Sequence, residues 1–397
     1  MKKHRRYFFL CYLLILFSGS RAFFLFGQND LKFRISEKIH FRGFIKNMQS
    51  TSFISSPQSL ITGNYIHNRI NFKWDINTNW NLRFESRNRL YYGEQVKSTY
   101  QFGKYIEADN GYFCLSHNII DDSGIVLNTS IDRASLSWTK NNIEVTVGRQ
   151  RLNWGINLVW NPNDIFNTFN YFDFDYEERP GSDAIRVQYN KGIFSSLQGV
   201  YKPAQEYNQQ VGAVMYKTNF KKYDWQTFIG VYQEDLVSGT GWAGNINQLG
   251  FKGEITYFHS FSMSVKMKEI LIGSISLDKT FKKNYFMMFS YLYNGSAKEI
   301  LNNASDFSKI NLSAKNLMPF THTFFAQLTK TFNPLVSAGL SCMYSLSKNT
   351  LILFPTLTVS LSENCDVALI AQSFFSETVK RYESLGSSIF LRLRWSF

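Results

Sequence analysis

The ten residues Ser388-Ile-Phe-Leu-Arg-Leu-Arg-Trp-Ser-Phe397 constrain this chain more than any others. In an extended backbone Ile389, Leu391, Leu393, Trp395 and Phe397 fall on one face, and Arg392, Arg394 and Ser396 on the other. Successive side chains of a strand point to opposite sides, so one face meets an apolar medium and the other a polar one. The same alternation recurs upstream. Ile66, Ile70, Phe72, Trp74 and Ile76 oppose Arg69, Asn71, Lys73 and Asp75, and Trp80, Leu82, Phe84 and Leu90 oppose Arg83, Glu85, Arg87 and Arg89. Between residues 183 and 190, Ile185, Val187 and Tyr189 oppose Arg186, Gln188 and Asn190. A soluble sandwich alternates in the same way, so the pattern alone does not choose between sandwich and barrel.

Turn spacing supplies the choice. The alternation predicts strands at 39–49, 63–76, 79–92, 131–139, 142–149, 183–190, 193–201, 211–220, 224–234, 248–258, 262–268, 270–281, 284–294, 320–332, 335–347, 351–362, 364–376 and 385–397. Short links such as Asn77-Thr-Asn79, Lys140-Asn-Asn142, Lys221-Lys-Tyr223 and Lys282-Lys283 alternate with long loops at about 93–130, 150–182, 235–247 and 295–319. Membrane barrels of bacteria have short turns at one end and long loops at the other. Trp74, Trp80, Trp138, Trp225 and Trp395 all fall beside short turns or the last strand, as aromatic rings do at a membrane–water interface, whereas Trp154, Trp160 and Trp242 fall in expected loops. The expected fold is therefore all-β: a transmembrane antiparallel up-and-down β-barrel of about 18 strands, or 16 if the pieces at 262–281 merge.

The beginning of the chain reads as an export signal. Lys2, Lys3, Arg5 and Arg6 precede an apolar run from Tyr7 to Phe17, too short for a membrane helix, and small residues follow. Residues 1–27 are expected to be the signal peptide and 28–397 the barrel. No later segment holds enough consecutive apolar residues for a spanning helix. The chain carries 37 Phe and 22 Tyr against only 7 Pro, which suits strands apolar on one face. Cys114, Cys342 and Cys365 remain after the signal, an odd number that points to free thiols. A Phe at the end of an alternating strand resembles the signal read by outer-membrane assembly machinery, with Trp395 and Phe397 carrying it.

The formal net charge of +13 suggests anionic partners, and export makes nucleic acid implausible among them. Lysines in the turns suit anionic lipid headgroups. The inward positions of the first three strands and the last are basic: His40, Arg42 and Lys46, then Arg69 and Lys73, then Arg83, Arg87 and Arg89, then Arg392 and Arg394. Barrel closure sets the last strand beside the first, so these residues are expected to form one basic pore-lining wall. Glu85, Asp75 or an inserted loop would neutralise it in part.

The loop from Arg151 to Asp183 carries Trp154, Trp160, Phe166, Phe169, Tyr171, Phe172 and Phe174, too many aromatic rings for a free surface loop. It is expected to fold into the barrel as a constriction and to bring Asp164, Asp173, Asp175, Glu177, Glu178 and Asp183 beside or opposite the basic wall. The acids at 173–177 lack the glycine turn and closing glutamate of a calcium loop, so no metal is expected, and no cofactor motif stands out.

Gly148-Arg-Gln150, Trp154-Gly155, Asn161-Pro-Asn-Asp164 and Arg179-Pro-Gly181, together with Tyr291-Leu-Tyr-Asn-Gly295, resemble segments of porin-like outer-membrane barrels, including those of the alginate-export type. The resemblance implies a barrel with a channel-like function and names no solute. The leading expectation is a channel in the bacterial outer membrane for passive or selective diffusion of small polar or anionic solutes. The alternative is a barrel that exports or assembles an acidic polymer. An outer-membrane enzyme is a third class, for which none of the six His lies in a nucleophile motif. Expected partners are outer-membrane lipids, the assembly machinery and the solute. The oligomeric state is not encoded in any feature found.

Overall fold

The computed structural model describes residues 37–55, 58–109, 111–167, 180–261, 269–297, 312–377 and 381–397. The chain divides into two units, Met1–His40 and Phe41–Phe397, and the sheet belongs to the second apart from its first two residues. The expected signal peptide, the strand expected at 262–268 and most of the acidic loop segment lie outside the described residues.

Alternating sequence becomes antiparallel sheet throughout. The strands are β1 Ile39–Ser55, β2 Gln58–Asp75, β3 Trp80–Tyr92, β4 Ser116–Asp122, β5 Ile125–Lys140, β6 Ile143–Gln150, β7 Ser182–Lys191, β8 Ser195–Lys202, β9 Val211–Phe220 and β10 Tyr223–Tyr232. They continue as β11 Asp235–Ile246, β12 Leu249–Ser260, β13 Glu269–Phe281, β14 Tyr285–Asn294, β15 His322–Asn333, β16 Val336–Ser345, β17 Thr350–Ser362, β18 Cys365–Glu377 and β19 Tyr382–Ser396. Each strand pairs with its successor, except that β3 pairs with β5, and β19 returns to pair with β1 from Phe44↔Ser396 to Ile54↔Gly386. The sheet is thus a closed barrel of eighteen staves, with β4 a short hairpin arm on the upper half of β5. Of two short helices, α1 Glu94–Ser98 packs against β2 and β3, and α2 Phe102–Glu107 against β4 and β5.

Eighteen is the expected number, reached with a different membership. The segment 235–247, expected as a long loop, is occupied by strand β11, which carries Gly239, Gly241 and Gly244. Its glycines make room. A Cβ on Gly239 would lie 2.3 Å from the Phe228 ring, one on Gly241 2.8 Å from Asn163 Nδ2, and one on Gly244 2.4 Å from the Tyr223 ring. Within a strand glycine marks close approach of another group, and here the approaching groups are a neighbouring ring and a loop inside the barrel. Similarly, β5 begins at Ile125 rather than 131, and β4 lies within the expected loop 93–130.

The outward positions are apolar along the strands: Ile185, Val187 and Tyr189 on β7, Ile275 and Leu277 on β13, and Leu391 and Leu393 on β19 are all exposed. Such a band is stable only against hydrocarbon, so the barrel crosses a membrane. No described helix is long and apolar enough to do so. Trp74, Trp80, Trp225 and Trp395 are exposed near the short-turn end, and Trp80 faces Trp138 across β3 and β5. Trp242, expected in a loop, joins this belt with its ring 6.2 Å from Trp225.

Candidate functional site

Local geometry first explains why the chain turns into the barrel after β6. Gly148 has φ +110°, and a Cβ there would stand 2.3 Å from the Ala134 carbonyl, so only glycine fits. The next residue, Arg149, donates from Nε and Nη2 to the two carboxylate oxygens of Asp183, each at 2.8 Å, and from Nη1 to Asp109 Oδ2 at 2.8 Å. That two-pronged pairing ties the start of the loop to its end and to the neighbouring loop. Gln150 donates to the Ala184 carbonyl at 2.9 Å.

Residues 151–167 then lie inside the barrel. Leu152, Trp154, Val159, Trp160, Ile165 and Phe166 are buried. Their backbone is held by one wall residue, Glu254 of β12, itself wholly buried. Its Oε1 accepts the N–H groups of Ile156 and Asn157 at 2.5 and 2.6 Å, and its Oε2 accepts that of Asn163 at 2.9 Å. Asn163 also donates to the Thr240 carbonyl and accepts from Thr256, at 3.1 and 2.8 Å. Trp154 donates to Gln198 Oε1 at 2.5 Å while its carbonyl accepts from Gln226. A second segment enters between β14 and β15, burying Ala314, Leu317, Met318 and Phe320. Asn294 donates to Asn316 Oδ1 at 3.0 Å and to the Met318 carbonyl, and Lys315 pairs with Asp235. Both segments join one apolar cluster with inward Met215, Phe228, Phe258, Phe325 and Phe354.

The opposite wall, from β19 through β5, stays polar. Between β2 and β3 two pairs of cations stand directly across from each other, Lys73↔Arg83 and Arg69↔Arg87, and buried His67 stands across from Arg89. Lys46 faces Arg394 across the β1–β19 seam. Like charges placed opposite destabilise a sheet, and acids offset part of the cost here. Arg69 pairs with Glu85 at 2.6 Å and Asp132 at 2.5 Å, Arg87 with Asp132 at 3.2 Å, and Arg133 with Glu85 at 3.4 Å. Asp132 reaches the lumen through a bulge: Glu85 pairs with Arg133 and Ser86 with Ile131, leaving Asp132 as the extra residue. Lys73 is held by Asp75 at 2.9 Å and Arg392 by Asp366 at 3.6 Å. Arg394 and Lys46 lie over the Phe44 ring at 4.5 and 5.6 Å. Arg83, Arg42 and His40 are exposed. The wall is therefore a ladder of paired and unevenly compensated cations, with Glu85 and Asp75 in the neutralising role that their positions suggest.

Between the inserted loop and this wall lies a cavity of about 610 Å³. Arg87 and Arg89 line it from β3, Lys202 from β8, and Phe166 and Asn167 from the loop, with Tyr232 and Ser313 beyond. Arg89 is bonded to neutral oxygens, Asn128 Oδ1 at 3.1 Å and the Ile106 carbonyl at 3.4 Å. Lys202 likewise donates to the Phe166 carbonyl at 3.3 Å. Just past the end of β3, Glu94 accepts from Thr62 N and Oγ1 at 2.9 and 2.8 Å, bonds that hold its carboxyl below the usual range.

Of the six acids expected on the loop, Asp164 and Asp183 lie among the described residues. Asp183 is buried in the Arg149 pairing instead of facing open lumen, and Asp164 is buried in the turn whose N–H bonds the Asn161 carbonyl at 3.1 Å. Asp173, Asp175, Glu177 and Glu178 lie outside the described residues. Sequence reasoning missed Glu254, Asp132 and Lys202. Glu254 was detectable as the lone acid of β12 at an inward position, and Asp132-Arg133 as a charged pair that breaks alternation. The described residues contain no cluster of His, Cys, Asp and Glu suited to a metal ion. Phe397 exchanges backbone hydrogen bonds with Gly43, each at 2.9 Å, and its ring lies 5.3 Å from Trp395.

Solved structures share this fold at very low sequence identity. The Pseudomonas aeruginosa protein OccK9 (OpdG) superposes with a TM-score of 0.59 at 8% identity, covering 91% of this chain and 98% of that one. Acinetobacter baumannii OccAB4 gives 0.56 at 8%, covering 92% and 100%. The outer membrane protein opdK of Pseudomonas aeruginosa gives 0.56 at 8%, covering 91% and 99%. No family model matches the sequence, and no curated protein matches it.

Proposed function

We propose that this chain is an outer-membrane channel for the diffusion of small polar or anionic solutes. The observation that carries the reading is the polar cavity left between the apolar inserted loop and the ladder of cations. A barrel of this size encloses more space than its own side chains fill, and here two inserted segments fill only one side of it. Charged groups lining a narrow aqueous path select solutes by sign. The fold it shares with a protein described as an outer membrane protein supports the location. Trp395 and Phe397 are assigned the role of the assembly signal, and outer-membrane lipid is the surrounding partner. A diffusion channel of this kind needs no chemical step and no cofactor.

Planar-bilayer recording of the purified, refolded chain is the direct test. Discrete conductance steps with a preference for anions are expected. Replacing Arg83, Arg87 and Arg89 together by Glu should reverse or abolish that preference. A silent bilayer would overturn the open channel, and unchanged selectivity would remove the ladder from the path.

A second reading, guidance of an acidic polymer, is favoured by the cations of β2 and β3, which succeed one another along the barrel axis. An acidic polysaccharide that blocks the current from one side only would favour it. The loop motif that carries the alginate-type resemblance is used, in its described residues, to lock the loop in place, through Arg149 on Asp183 and Asn163 on Glu254.

A further inference from the structure

At the short-turn end the acids of the strand ends share one face. The acids of the strand ends point into the lumen and have partners there. Asp75 pairs with Lys73 at 2.9 Å, Glu144 with Arg186, Asp278 with Lys252 at 3.0 Å and Asp366 with Arg392 at 3.6 Å. Asp224 points inward too and accepts from Asn219 Nδ2 at 2.7 Å. Lys73 and Lys252 point inward as their partners do, and Lys217 shares the inward face of Met215, but other lysines of this end lie outside. Lys279 and Lys330 occupy outward positions at the lower margin of the apolar band, by alternation with inward Ser276 and Phe325, which are buried. Lys221, Lys222, Lys282 and Lys283 fill the turns beside them and are exposed. From Phe220 to Tyr223, Ile246 to Leu249, Phe281 to Tyr285 and Asn333 to Val336, four successive short turns contain no Asp or Glu.

The lysines also stand against aromatic rings. Lys330 Nζ lies 4.1 Å from the centroid of Tyr285, Lys221 5.3 Å from Phe220 and Lys279 5.4 Å from Phe281. Aromatic rings on the outer face of a membrane barrel mark the headgroup level, so these ammonium groups are held at that depth. Their backbone supports the same view. Lys221, Lys222 and Lys283 have φ of 51°, 67° and 63°, the left-handed conformation that Asn and Gly enter more readily in such hairpins. Lysine at three of these positions is disfavoured by the turn itself, so the turn conformation does not account for its presence.

We propose that the arc from β9 to β15 at the short-turn end is a binding surface for anionic phospholipid headgroups of the adjoining leaflet. The ammonium groups would engage lipid phosphates while Phe220, Phe281, Tyr285 and Phe332 pack on the upper acyl chains. A lysine near an anionic membrane surface gains about a fivefold binding preference, and the gain is screened by salt.

The test uses the full chain refolded into nanodiscs of phosphatidylcholine mixed with phosphatidylglycerol. Native mass spectrometry after gentle release reads which lipid stays bound. Wild type should retain phosphatidylglycerol several-fold over phosphatidylcholine, and raised salt should shrink the preference. The Lys279→Gln, Lys330→Gln double variant should lose most of it, and adding Lys221→Gln and Lys283→Gln should lose the rest. Lys97→Gln with Lys348→Gln, at the long-loop end, should leave it unchanged. Equal retention of both lipids by wild type, or full preference in the short-turn variants, would overturn the proposal. Displacement of both lipids by a soluble acidic cell-wall glycan would overturn it in favour of a wall contact. The salt series on wild type keeps the test decisive if a variant fails to refold.

Discussion

The wall from β19 through β5 and the wall from β8 through β18 are made of the same alternating strands, yet their inner faces have become different materials. The first presents arginines and lysines in register, with Glu85 and Asp132 spaced among them. The second presents Met215, Phe228, Phe258 and Phe325 and is covered by two inserted segments. Alternation is therefore a rule about faces and not about media. An inward side chain can be apolar wherever the protein supplies its own apolar partner, and must be polar wherever water is the partner. The two walls should fail in different ways, selectivity on one side and pore size on the other.

The largest effect is expected at Arg69. Arg69→Leu leaves Glu85 and Asp132 short of a partner in a buried setting and should cost about 3–5 kcal/mol. Urea titration of the barrel in micelles would read the cost, and conductance should lose anion preference without a change in solute size limit. Next is Glu254→Ala, which strands three N–H groups of the inserted loop. At about 1 kcal/mol or more for each, the loop should release, raising single-channel conductance and the size limit in a vesicle-swelling assay. Unaltered size selectivity in that variant would break the comparison. Gly241→Val forces a side chain into Asn163 and should cost about 1–3 kcal/mol, seen as a lower temperature for loss of the compact band on gels. Smallest is Trp154→Phe, which removes the bond to Gln198 and should cost about 1 kcal/mol with little change in current.

Much of the barrel was legible because alternation, short turns and tryptophan position all depend on nearest neighbours along the chain. The adjacency of β19, β1, β2 and β3 was legible for the same reason, since closure follows once β1 and β19 are recognised as strands. What escaped depended on contacts across the lumen. β11 looked like a loop because its glycines are shaped by Asn163 and Phe228, which no local pattern reveals. Asp132 escaped because one extra residue turned it inward. The partner of Asp183 escaped because the sequence does not show that Arg149 binds it with two nitrogens. Glu254 is the clearest case: a single acid in β12 whose purpose appears only when the backbone of 156–163 is brought against it.

The seam between β1 and β19 carries a consequence for how the molecule comes into being. Ser52 and Ser388 share a hydrogen bond although 336 positions separate them. Every other stave can zip onto the one before it, but β1 must wait with an unpaired edge until β19 arrives, and such an edge invites pairing with the wrong chain. Cylinder closure is then a single late event, and whatever shelters β1 during the wait governs how much chain reaches the finished state.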